Sequence, residues 1–263
     1  MPQKMTFWEH LAELRTTIIQ IVISVLAVSA FCFIFGLRET TLFGYKFYYP
    51  YPDIINNISN LVFERIKADL LPKELKLFPV RIMDPVVINV YISLFLGIVI
   101  STPKIYYELG VFIGPGLYPK ERRALKAVTI PATILFVIGC LFSYFIITPI
   151  MIDFMYMYIQ SMDTMPIVSI ADFVSFVLMM TLAFGIIFEL PIFMVGFTKL
   201  GLVEADFWKH HWRVAVVLMV VVGAVITPDG TGITQMLVAL PMMLLYLIGY
   251  LGARRVQARK VKV

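Results

Sequence analysis

Long runs without a single charge dominate this chain. Thr16–Leu37 holds no charged residue, and Pro85–Pro103 repeats the pattern. A helix rises about 1.5 Å per residue, so about 20 apolar residues cross a hydrocarbon core of about 30 Å. Further charge-free runs recur at 127–152, 214–228 and 233–253, and an apolar run at 173–198 is interrupted only by Glu189 and Pro191. With 60% of residues hydrophobic and 15% charged, and a mean hydropathy of +0.88, no water-soluble core could hide the apolar surface. In lipid each backbone polar group must be satisfied within its own segment, which selects helices. The expected fold is an all-α membrane protein with six transmembrane helices in one polytopic domain, 1–263.

The expected spans are 16–37, 85–108, 127–152, 173–198, 213–228 and 233–253. The first is longer than the core of a signal peptide and ends without a small-residue cleavage site, so it reads as a retained helix. Val214–Pro228 offers only 15 residues, about 22 Å, so spans five and six are either a re-entrant hairpin or a short pair. Prolines 103, 131, 149, 191 and 241 fall in or beside spans and predict kinks. The long external loop 38–84 contains an amphipathic pattern from Ile54 to Leu70, read as a helix capping the membrane face. Residues 151–172 read as a short loop.

Six spans place both termini on one side. That side carries 15 Lys and Arg, and the other carries seven, all within the one long loop. The charge bias predicts cytoplasmic termini. The same distribution argues against nucleic acid, because the bases flank spans instead of forming a patch; lipid headgroups are the better partner. Cys32 and Cys140 lie inside apolar runs and read as packing residues.

Enzyme motifs are absent: no H-E-x-x-H, G-x-S-x-G or P-loop occurs. His210 and His211 point about 100° apart on a helix and make a poor metal pair. No enzyme, cofactor or metal is expected. Three other features carry potential chemistry. Trp8-Glu-His-Leu-Ala-Glu-Leu-Arg15 enters the first span as a helix, with Glu9 and Glu13 on one face; paired carboxylates suit guanidinium. Gly110-Val-Phe-Ile-Gly-Pro-Gly-Leu-Tyr-Pro-Lys-Glu-Arg-Arg123 breaks the helix between spans two and three, setting Phe112 and Leu117 beside Glu121. Glu189, in Phe184-Gly-Ile-Ile-Phe-Glu-Leu-Pro191, is an acid inside an apolar run, a costly placement unless paired, protonated or wetted.

His10-Leu-x-Glu-Leu-Arg15, Phe112-Ile-x-Pro-x-Leu-Tyr-x-x-Glu-Arg-Arg123 and Phe184-Gly-x-x-Phe-Glu-x-Pro191 together resemble the TatC family, the multispanning subunit of the twin-arginine protein translocase. The likeness runs from about residue 6 to residue 252. It implies a kinked, concave, cup-like wall of helices in the cell membrane, and a receptor for signal peptides bearing consecutive arginines. By position, Glu13 and Glu121 would bind the arginines, with Phe112, Leu117 and Tyr118 shaping the surface and His10 and Arg15 belonging to the same site. Glu189 would face the small single-span partners TatA and TatB. Asp229 would mark an external turn, although Thr227-Pro-Asp-Gly stands where many members have Thr-Pro-Pro-Asp. The resemblance also implies transport driven by the proton-motive force, with homo-oligomers in the assembled complex. The rival reading is a proton-coupled carrier using Glu189; carriers often show inverted repeats, and the two halves of this sequence show no convincing match.

Overall fold

The computed structural model describes residues 7–42, 45–113, 119–227 and 232–260, with side chains described in all but a few stretches, the longest being 113–128. The architecture is all-α, with helices α1 (Phe7–Ile34), α2 (Ile58–Leu70), α3 (Asp84–Ile113), α4 (Pro119–Phe142), α5 (Thr148–Ser161), α6 (Ile170–Phe188), α7 (Leu190–Leu200), α8 (Ala205–His210), α9 (Trp212–Ile226) and α10 (Ile233–Lys260). Five stretches of the described residues are long and apolar enough to cross a bilayer: 8–34, 84–112, 129–161, 170–200 and 233–258. Trp212–Ile226 is a shorter apolar helix.

The chain forms two compact units, one of residues 1–129 and 152–178, the other of 130–151 and 179–263. In the first, α1 packs along α3. Contacts here are close and polar. A Cβ on Gly97 would meet Ser29 Oγ and lie 2.7 Å from the Val25 carbonyl oxygen. Ser29 Oγ donates to that same carbonyl, and Ser101 Oγ donates to the Ser24 carbonyl across the pair. Between apolar helices in lipid, small residues and hydrogen bonds supply the specificity that water expulsion supplies elsewhere.

The external loop contains more order than the amphipathic pattern suggests. Strands β1 (Phe35–Leu42) and β2 (Tyr45–Pro52) form an antiparallel hairpin continuing from α1. Helix α2 then starts at Ile58, later than the apolar pattern implies. Asp53 Oδ1 accepts from the Ile55 and Asn56 amides, and the Asn57 side chain caps the Asn60 amide. Those bonds hold 53–57 in a turn, leaving Ile54 and Ile55 exposed ahead of the helix. Asn57 Nδ2 also donates to the Phe33 carbonyl, and Ser59 Oγ lies 2.5 Å from Ser93 Oγ, tying α2 to α1 and α3. Downstream, β3 (Lys76–Phe78) pairs in parallel with β4 (Ile167–Ser169).

Helix α4 begins at Pro119, a residue suited to a first turn because its missing amide would be unsatisfied there anyway. A π-helical turn, Ser143–Ile147, joins it to α5. Pro149 follows at once, and its ring would clash with a carbonyl four residues back in regular α geometry. The helix then continues to Ser161, well into the segment 151–172 that reads as loop by composition. Here α5 keeps its winding through Met155-Tyr-Met-Tyr158, where apolar and aromatic residues outnumber breakers.

In the second unit α10 packs on α7, α9 and α8. A Cβ on Gly249 would lie 2.5 Å from Met194 Sδ, and one on Gly252 would lie 2.7 Å from Val195 Cγ2. Gly139 and Gly185 mesh α4 with α6, where Cys140 Sγ lies 2.8 Å from a Cβ built on Gly185. Both cysteines are free and buried, as packing residues would be.

Candidate functional site

The first unit brings two of the sequence motifs together. Helix α1 carries His10 and Glu13, and antiparallel α3 carries Phe112 one residue before its end. The His10 and Phe112 rings stack with centroids 4.6 Å apart and planes 18° from parallel. His10 Nδ1 lies 4.0 Å from Glu13 Oε2, an electrostatic neighbour but too far for a hydrogen bond. Glu13 Oε2 is buried and has no hydrogen-bond donor among the described residues. A buried acceptor left unsatisfied costs about 1–3 kcal/mol, more when charged. A donor arriving from outside would therefore be strongly favoured there. Arg15 is exposed on α1.

One participant escapes the sequence reading. Glu108 is buried on α3, one helical turn before Phe112. Lys104, on the turn before it, forms an ion pair with its carboxylate. When the Gln20 amide is oriented to suit its neighbours, its nitrogen donates to both Glu108 oxygens, at 3.0 and 2.6 Å. The i,i+4 spacing of Lys104 and Glu108 is the sequence signal. The contact from Gln20, on the other helix, has no such signal. The trio clamps α1 to α3 below the His10–Phe112 stack.

Leu117 and Tyr118 lie outside the described residues. So does the side chain of Glu121, whose backbone belongs to the first turn of α4. Asp229 is outside them too.

Glu189 occupies a real break. Helix α6 ends at Phe188 and α7 starts at Leu190, with Pro191 in its first turn. Pro191 has no amide to give, and the Glu189 amide turns back to the Ile186 carbonyl at 3.1 Å, a tighter i→i−3 bond. The residue is 3% exposed. Just before the break, Phe184 and Phe188 on α6 meet Phe142, with centroids 5.9 and 5.2 Å away. No group of three or more His, Cys, Asp or Glu among the described residues could hold a metal ion.

Comparison with known proteins places this arrangement. The family model for the Sec-independent protein translocase protein (TatC) matches residues 9–241. The chain is 38% identical to the Sec-independent protein translocase protein TatC of Cenarchaeum symbiosum over 98% of both chains. It is 33% identical to the Aquifex aeolicus protein of the same name, over 97% of this chain and 98% of that one. A crystal structure of the twin-arginine translocase receptor TatC superposes with a TM-score of 0.76 at 30% identity, covering 94% of this chain and 99% of that chain. The small-solute carrier reading of Glu189 finds no support in these likenesses. A multi-pass membrane protein of this sequence and fold belongs to the TatC family of Sec-independent protein translocases.

Proposed function

We propose that this TatC-family protein is the receptor for twin-arginine signal peptides, and that the paired guanidinium groups dock at the end of the α1–α3 pair bearing His10, Glu13 and Phe112. The observation that carries the reading is Glu13 Oε2, a buried carboxylate oxygen with no donor among the described residues. Guanidinium presents a planar fork of N–H groups to a carboxylate, whereas ammonium acts as a point charge, so arginine is the better ligand. Glu121 supplies the second acid by its place in the family motif, three residues into α4, and Leu117 and Tyr118 offer apolar contact to the hydrophobic stretch of the signal. Arg15 stays on the rim of the site.

In this reading both termini and the site face the cytoplasm, where a precursor awaiting export is found, and the membrane is the cell membrane. Glu189 at the α6–α7 break is the polar contact for single-span partners of the TatA and TatB kind, and Asp229 marks an external turn. The protein acts as a receptor and scaffold, not as an enzyme, and transport draws on the proton-motive force.

The test is copurification with an Arg-Arg signal peptide and with its Lys-Lys counterpart. Wild-type protein should retain the first and lose most of the second. Glu13→Ala should weaken Arg-Arg binding about ten-fold or more, the value of one charge-assisted contact, while the protein remains folded and inserted. Equal retention of both peptides, or unchanged binding by Glu13→Ala, would refute the assignment.

A further inference from the structure

A groove of about 370 Å³ lies along α8, α9 and α10, within the second unit. Trp208, Trp212, Tyr246 and Tyr250 form its aromatic walls, and Met219 and Met243 also line it. The polar atoms of two walls are engaged away from the groove. Trp208 Nε1 donates to Thr198 Oγ1 at 3.2 Å, and the Tyr246 hydroxyl donates to the Trp208 carbonyl at 2.6 Å. These bonds fix the rings and leave apolar surfaces facing the opening. Trp208 and Tyr246 also meet edge to face, with centroids 6.5 Å apart.

Charge gathers at the same end. Lys209 lines the groove, and the Arg213 guanidinium lies over the Trp212 ring, 5.7 Å from its centroid. Helix α8 packs on the end of α10 through the Tyr246 hydroxyl bond and through the Ala205 amide, which donates to Gln257 Oε1 at 2.5 Å. Arg254 and Arg255 fall between those two contact points on α10. Residues 199–213 and 246–257 hold the bases Lys199, Lys209, Arg213, Arg254 and Arg255 against the acids Glu204 and Asp206. An apolar slot with rigid aromatic sides and a cationic mouth matches an amphiphile with a hydrocarbon tail and an anionic head.

We propose that this groove binds one anionic phospholipid, its tail lying between the tryptophan and tyrosine rings and its phosphate held by Lys209 and Arg213. A docked helix from another protein would use the apolar walls equally well but would leave the cluster of bases without a partner. The groove stands on different residues from the His10–Glu13–Phe112 site.

The chain has three tryptophans, of which Trp208 and Trp212 wall the groove, so Trp8→Phe leaves a reporter confined to it. This variant, reconstituted in lipid nanodiscs, is titrated with brominated phosphatidylglycerol or brominated phosphatidylcholine at equal mole fraction. The anionic lipid should quench more strongly at low fraction. Adding Lys209→Ala and Arg213→Ala should erase the preference, by about five-fold in apparent affinity per cation removed, while quenching by phosphatidylcholine stays as before. That unchanged quenching verifies that the exposed substitutions leave the helices packed. Equal quenching by both lipids in the Trp8→Phe protein, absence of quenching by either, or a preference surviving in the triple variant would each overturn the proposal.

Discussion

Helices α1 and α3 meet differently from α7 and α10, and the difference concerns what can give way. At Gly97 the neighbours are a backbone carbonyl and the serine hydroxyl bonded to it. At Gly252 the neighbour is a methyl of Val195, and at Gly249 the flexible tip of Met194 is nearest, with the Pro191 Cα next at 3.0 Å. Backbone cannot step aside without moving its helix, whereas a methionine tip changes rotamer at little cost. The first pair is also bonded at its level of closest approach and again at Gln20–Glu108, while α7 begins at a break. The stiff pair carries the proposed arginine site, and the broken helix carries Glu189.

Gly97→Val should break this contrast most severely, by wedging α1 from α3. A loss of about 3 kcal/mol, the upper end for overpacking, is expected as a marked fall in thermal stability in detergent. Gly252→Val tests the pliant side and should cost less than half as much; equal losses would erase the distinction. Next in size is Glu108→Ala, which strands Gln20 and Lys104. It should cost about 1.5–3 kcal/mol, and Glu108→Gln should recover part of this through the Gln20 bond. If the clamp orders the site above it, Glu108→Ala also lowers Arg-Arg peptide retention, and Glu108→Gln does so less.

The smallest effect belongs to Asp53, at the far end of the first unit. Hydrogen bonds from the Asn56 amide and side chain and from the Ile55 amide hold its carboxyl below the ordinary value of 3.8. A carboxyl whose value is lowered on folding contributes stability above its unfolded value, lost as pH falls through the folded one. The turn ahead of α2 should therefore loosen only below about pH 4, detectable as increased protease cleavage near residues 53–57. Asp53→Asn should remove that pH dependence; an identical acid profile in both proteins would rule out the mechanism.

The membrane architecture was legible because lipid leaves few options: a charge-free run of about 20 residues has nowhere else to go. The break at Glu189 was legible for the same reason, since Pro191 and a carboxyl interrupt an apolar run. The hairpin 35–52 was not. Its Tyr45-Lys-Phe-Tyr-Tyr-Pro-Tyr-Pro52 strand contains two prolines, which read as punctuation but are tolerated on an edge. Helix α2 was found with the wrong start, because Asn57 and Asp53 outweigh the apolar spacing of Ile54 and Ile55. In the candidate site, His10 and Glu13 are three residues apart and share a helix face. Their meeting with Phe112, and the contact of Gln20 with Glu108, join positions about 90–100 residues apart and depend on how α1 lies against α3. Motif likeness could link the first pair. It could not reveal the second.

The π-helical turn at Ser143–Ile147 bears on how this chain tolerates changes of length. Such a turn accommodates one surplus residue while the winding before and after stays regular. Deleting one residue within it should leave Phe136 and Ile152, on either side, facing the neighbours that bury them now. The same deletion placed elsewhere in α4 would swing everything beyond it by about 100°. That turn is thus the point on the long segment where the gene can lose a codon without rotating the helix.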